Sequence, residues 1–162
     1  MRLDRQPGEV VDRKTTLRFT WNGRPHTGFD GDTIASALAA AGVRVFSRSL
    51  KYHRRRGLLT ASFVDPGCVV QVGDEPNVRA AHRRLAEGMD VRAQNAWPSL
   101  GFDVKAVNNL LGRFLPPGFY YKTFIEPRPL WPWYQRVLRR FAPGGVVSPH
   151  VADAHVAPKR FA

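Results

Sequence analysis

The stretch TLRFTWNGRPHTGFDGDT, residues 16–33, limits the fold more than any other part of the chain. Leu17, Phe19 and Trp21 alternate with Arg18 and Thr20, so one face of a strand is apolar and the other polar. The alternation breaks at Asn22-Gly23, a two-residue turn signal, and the return segment is read as a second, antiparallel strand. Asp32 then stands where its carboxylate can cap the first turn of TIASALAAAG. In that helix Ile34, Leu38 and Ala41 share a face, and Gly42 marks its end. VRVF (43–46), GLLTASFV (57–64) and CVVQVG (68–73) are short, apolar or β-branched, and read as further strands. A hairpin, one packed helix and more strands predict a small α+β domain over residues 15–95, preceded by a polar lead, 1–14.

A chain of 162 residues with 43% apolar composition is long enough for one such domain and an appendage. The single cysteine, Cys68, excludes an internal disulfide and any zinc or iron site built from several thiolates of this chain. A reducing, cytoplasmic setting is expected: the charged lead has no apolar signal core, and no apolar run approaches the ~18 residues of a membrane span.

From Trp97 the composition changes. Aromatic residues and prolines crowd into an arm, 96–145, followed by a connector, 146–162. Asp103 is expected to cap a helix carrying Val104, Val107, Leu110, Leu111 and Phe114 on one face, stopped at Pro116-Pro117. A second short helix is expected from Trp133 to Phe141. So many large apolar groups do not suit a solvated linker, and so many prolines do not suit a compact domain. The arm is expected to lie along another surface.

A net charge of +12 attracts polyanions of any kind. RSLKYHRRRG, residues 48–57, is the densest cationic run, with Tyr52 and His53 inside it. Such a run can contact nucleic acid, pair with anions at a subunit seam, or serve as an ordinary loop. Nucleic acid is disfavoured, because the cations are scattered and no nucleic-acid-binding motif accompanies them. Cys68 lacks a base at any telling spacing and reads as a buried hydrophobe. The histidines at 26, 53, 82, 150 and 155 have no metal-ligand spacing, and no G-x-G-x-x-G fingerprint is present. Neither catalytic residues nor a metal site are assigned.

GFDGDTIASALAAAGVRVFSRSLKYHRRRG, followed in order by VVQVGDEPNVRA, AQNAWPSLGFDVKAVNNLL and PPGFYYKTF, resembles the alpha subunit of heterotetrameric sarcosine oxidase and its relatives. The resemblance implies a β-grasp, ferredoxin-like domain, then an arm leading toward a dinucleotide-binding domain beyond this chain. Some relatives hold a two-iron, two-sulfur cluster on Cys-x4-Cys-x2-Cys plus a fourth cysteine. Here the comparable region is taken to be Ser47, Arg48, Lys51, His53 and the following arginines, so the chain is expected to be cluster-free.

The implied function is that of a non-catalytic component, either a split small subunit or part of an alpha subunit, of a complex that oxidises a secondary N-methyl amine with flavin. The chain itself would hold no cofactor; FAD, FMN and NAD are implied elsewhere in the complex. Its partners would be the remaining alpha-subunit domains or a separate dinucleotide-binding subunit, and other oxidase subunits. Arg48, Lys51, Tyr52, His53, Arg54 and Arg56, with Tyr120, Tyr121 and Lys122, are the candidate cofactor-facing or interface residues. An internal salt-bridged loop replacing the lost cluster is the second reading of the first six, after the seam. The alternative function is a basic nucleic-acid-binding module.

Overall fold

The computed structural model describes residues 2–60, 62, 64–111, 128–134 and 136. Strand β1 (Asp12–Trp21) turns at Asn22-Gly23 into β2 (Arg24–Asp30), with Trp21 opposite Arg24. Both turn residues are left-handed, at φ 50° and 77°, the geometry that favours asparagine and glycine there. β1 starts at Asp12, inside the segment read as a polar lead, with a register irregularity between Asp12 and Thr16. The lead is also not a free tail. Arg2 reaches back to pair with both oxygens of Asp32, at 3.0 and 2.6 Å.

Helix α1 (Ile34–Ala40) follows, and its N-cap is Thr33 rather than Asp32. The Thr33 hydroxyl accepts the Ser36 N–H while the Ser36 hydroxyl accepts the Thr33 N–H, a reciprocal capping box. Asp32 is buried one residue earlier and accepts from the Phe29 N–H and the Ser36 hydroxyl as well as Arg2. It secures the entry to the helix without capping it. Gly42, at φ 85°, ends the helix as its sequence position predicts.

Strands β3 (Ser47–Arg48) and β4 (Arg55–Arg56) form a separate two-stranded ribbon at the basic run. β5 (Val69–Val72), β6 (Glu75–Arg79) and β7 (Met89–Ala93) complete the main sheet, whose order is β2-β1-β7-β5-β6. β7 runs parallel to β1, placing Phe19 opposite Met89 and Trp21 opposite Val91; the other neighbours are antiparallel. This mixed sheet with few helices is compatible with the ferredoxin-like expectation. VRVF and GLLTASFV are not strands among the described residues: Phe46 is buried in the core and Val43 packs against it, whereas Leu58, Leu59 and Val64 are exposed.

The core joins Phe19 and Trp21 of β1, Ile34 and Leu38 of α1, Phe46, Val70 of β5, Val91 of β7 and Leu85. The same alternation seen in the sequence therefore selects the buried face of β1. β2 contributes little bulk because α1 crosses it closely. A Cβ on Gly28 would stand 2.4 Å from Leu85 Cδ2 and 3.0 Å from Ala37 Cβ. Gly28→Ala is expected to destabilise the domain by about 1–3 kcal/mol through this overpacking, read as a lower denaturant midpoint with an unchanged m-value.

Candidate functional site

The basic run is built around a buried carboxylate. β3 and β4 are joined by a tight loop in which His53 adopts φ 52° and donates its N–H to the Ser49 carbonyl at 3.0 Å. That geometry turns the His53 ring inward, where its Nδ1 lies 2.7 Å from Asp103 Oδ2. Arg48 also points inward: its Nη1 donates to the His53 carbonyl at 2.9 Å, and its Nη2 to the Leu100 carbonyl at 2.9 Å. Its Nε is 3.9 Å from Asp103 Oδ2. The other Asp103 oxygen accepts the N–H groups of Trp97 and Lys105, at 3.1 and 3.2 Å. Asp103 thus caps the short 3-10 turn Val104–Ala106 and ties the segment after the sheet to the basic loop.

The six loop candidates accordingly separate into two groups. Arg48 and His53 are buried and bonded within the chain. Lys51 and Tyr52 are half-buried, whereas Arg54 and Arg56 are exposed. The cations of Lys51 and Arg54 stand 5.1 and 4.9 Å from the Tyr52 ring centroid, and Arg54 Nε donates to Asn109 Oδ1. Tyr120, Tyr121 and Lys122 lie outside the described residues, as do Phe114 and residues 135 and 137–141 of the second arm helix; Trp133, Tyr134 and Arg136 are described and helical. A groove of about 440 Å3 borders the loop and brings Arg56 beside Arg79, Ser49, Asn77 and Asn95.

A His–Asp pair is also the orienting half of many acid–base sites. Here His53 is 3% exposed, and its Nε2 is buried without a hydrogen-bond partner among the described residues. Its geometry is that of a clamp.

The helix expected after Asp103 is split into the 3-10 turn and α2 (Val107–Leu111). Three of its apolar side chains stay outside the core: Val104, Val107 and Leu110 are exposed, as are Trp97 and Phe102 at 60% and 71%. An apolar surface therefore adjoins the clamp.

A second buried carboxylate was not singled out in the sequence. Asp65 Oδ2 accepts the N–H groups of Leu59 and Thr60, both at 2.7 Å. Oδ1 accepts the Gly67 N–H at 2.7 Å and the Cys68 Sγ–H at 3.1 Å. Burial alone would raise the Asp65 pKa, but these four donors prevail and bring it down to about 2. Burial, helped by the neighbouring carboxylate, pushes the Cys68 thiol up to about 12. Cys68 is thus a neutral donor at physiological pH, neither nucleophile nor thiolate ligand. An aspartate two residues before a glycine signals a turn in any sequence, which is why its convergence of donors is invisible without coordinates.

Three outcomes are expected from this site. Asp103→Ala leaves Arg48 and His53 buried without their carboxylate, and costs about 3–5 kcal/mol; proteolysis between residues 95 and 109 should accelerate. The Asp65 pKa, lowered from 3.8 to about 2, contributes about 2 kcal/mol that is complete above pH 4 and lost as pH falls toward 2, measurable by denaturant titration across that range. Cys68 should resist thiol reagents at pH 8 in the folded protein and react at once in denaturant.

Comparison with known proteins sets this geometry in a family. A model described as "2Fe-2S iron-sulfur cluster binding domain" matches residues 14–96. Sarcosine oxidase subunit alpha of Rhizobium meliloti (strain 1021) is 50% identical over 158 residues, covering 94% of this chain and 16% of that protein. The subunit of the same name from Corynebacterium sp. (strain U-96) is 35% identical over 66 residues, 41% of this chain and 7% of that protein. A solved structure, "Crystal structure of L-proline dehydrogenase from P.horikoshii", aligns with TM-score 0.46 at 20% identity over 53% of this chain and 17% of that chain. This chain therefore spans about one sixth or less of the length of these relatives.

The family description implies a cluster, which takes four cysteine thiolates in the usual case. The donor set does not fit it. One cysteine is present in the whole sequence, its thiol is held protonated beside Asp65, and among the described residues no three His, Cys, Asp or Glu side chains are grouped to hold a metal ion. By its sequence match over 14–96 and its 50% identity to a curated relative, the chain belongs to the 2Fe-2S iron-sulfur cluster binding domain family and is a homologue of sarcosine oxidase alpha subunits.

Proposed function

We propose that this chain works as a cluster-free, non-catalytic ferredoxin-like component of a sarcosine oxidase-type complex, which oxidises a secondary N-methyl amine with flavin. The observation that carries the reading is how the polar groups are used. Arg48, His53, Asp65, Cys68 and Asp103, the side chains with the most chemical potential in the domain, are all buried and spent on one another or on the backbone. What remains outward is an apolar surface, Phe102, Val104, Val107 and Leu110, next to exposed arginines 54 to 56. Apolar surface flanked by charge suits a protein–protein seam.

In this reading FAD, FMN and NAD belong to the partner polypeptides, namely the remaining alpha-subunit domains or a separate dinucleotide-binding subunit, with the other oxidase subunits. The groove with Arg56 and Arg79 is suited to face a partner's carboxylate or a cofactor phosphate. The arm with Tyr120, Tyr121 and Lys122 is assigned to the same seam. Among the described residues no helix is long and apolar enough to cross a membrane, and the proposed setting is the cytoplasm.

The test is co-expression with a polypeptide that carries the dinucleotide-binding fold of the same complex. A stoichiometric complex with flavin absorbance and amine oxidation is expected, while this chain alone turns over no N-methyl amine. Phe102→Asp and Leu110→Asp should weaken the complex at least about tenfold and leave the thermal midpoint of the isolated chain nearly unchanged. A charge of +12 supplies the competing reading, and tight binding to nucleic acid at physiological salt, with indifference to the partner, would replace the proposal by it.

A further inference from the structure

The loop between Gly57 and Cys68 is folded around an anion. Three backbone N–H groups, from Leu59, Thr60 and Gly67, and the Cys68 thiol converge on the Asp65 carboxylate. Asp65 is 1% exposed, and Cys68 is fully buried beside it. The surrounding backbone is too close for side chains: a Cβ on Gly57 would meet the Arg44 carbonyl at 2.0 Å, and one on Gly67 would meet the Gly57 carbonyl at 2.4 Å. The described residues of 57–64 form no strand, and the Leu59 and Thr60 N–H groups turn toward this carboxylate.

Spacing adds a second, independent observation. Thr60, Asp65 and Cys68 follow the x4 and x2 intervals of a two-iron ligand loop, with the only cysteine of the chain in third place. Ala81 comes directly after Ala80, whose N–H donates to the Cys68 carbonyl at 2.7 Å, and shares a groove wall with Thr60. The assignment of the comparable region to residues 47–56 is therefore displaced. Those residues are organised by Asp103 on the far side of β3 and β4 in sequence, whereas the anion cradle lies at 57–68.

We propose that residues 57–68 are a cluster-ligand loop whose anionic centre has been taken over by the Asp65 carboxylate, with Thr60, Asp65, Cys68 and Ala81 at the four positions where thiolates would stand. The proposal rests on the cluster-free reading above and gives it a cause. A thiolate-ligated cluster is an anion whose sulfurs accept backbone N–H groups. Its loss leaves those donors buried and unpaired, each costly. One aspartate satisfies three of them, and the loop keeps its shape without metal. The domain can then retain its outward surfaces while carrying no electron.

The test uses the whole chain. The triple variant Thr60→Cys, Asp65→Cys, Ala81→Cys is treated anaerobically with ferric iron and sulfide, in parallel with the unaltered chain. The variant is expected to take up about two irons and two sulfides, with visible charge-transfer absorbance and a paramagnetic signal on reduction. The unaltered chain should stay colourless. Loading of the unaltered chain to the same level, or failure of a triple variant with native circular dichroism to load, overturns the proposal.

Because three substitutions can impair folding, hydrogen exchange on Asp65→Ala supplies a second arm. The amides of Leu59, Thr60 and Gly67 should exchange at least about tenfold faster, with those of Val70 and Val91 little changed. Unchanged protection at the three amides also overturns it. Neither readout involves the partner, so loss of docking with both arms intact counts against the proposed function alone.

Discussion

A carboxylate taken out of water must recover its hydrogen bonds from the protein, and three aspartates meeting that demand organise the described part of this chain. Asp32 gathers Arg2, Ser36 and the Phe29 N–H, and so joins the N-terminal lead, the second strand and the start of α1. Asp65 gathers the loop before β5. Asp103 gathers the basic ribbon and the segment that leaves the sheet. Each stands where regular structure ends and the backbone has donors to spare. In a chain with 25 Lys and Arg against 13 Asp and Glu, this is a sparing use of scarce negative charge.

The apolar core depends on these fixings more than its size suggests. Phe19, Trp21, Ile34, Leu38 and Val91 make one layer between sheet and helix, but α1 is seven residues long and would be marginal alone. Its capping box and the Asp32 anchor hold it in place while β7, returning parallel to β1, closes the sheet above it. The parallel pairing also delivers the chain to Gln94 and Asn95. Gln94 O accepts the Arg48 N–H, and Asn95 Nδ2 donates to the Arg48 carbonyl, so the basic ribbon is docked on the end of the last strand before Asp103 locks it.

The same economy shapes what the surface offers. Asp65, Cys68 and Asp103 are inside and hydrogen-bonded, while the described surface presents guanidinium groups and an apolar stripe past the sheet. Burial of Asp65 beside Cys68 illustrates the trade. A neutral thiol and an ionised carboxylate form a stable pair at neutral pH, and the pair leaves the thiol with neither nucleophilic nor ligating character.

Local pattern alone was enough for the hairpin, the helix with its glycine stop, the buried face of β1, the β5 strand and the Asp103 cap, because each follows from neighbours within about four residues in sequence. The family resemblance was legible too, carried by several blocks in one order. Tertiary structure decided the rest. Whether Arg48 faces a partner or Asp103, whether GLLTASFV pairs as a strand or wraps a carboxylate, and whether the stripe at Val104, Val107 and Leu110 is core or surface all depend on groups tens of residues away. An apolar or charged side chain states what it needs; only the folded chain determines which distant group supplies it.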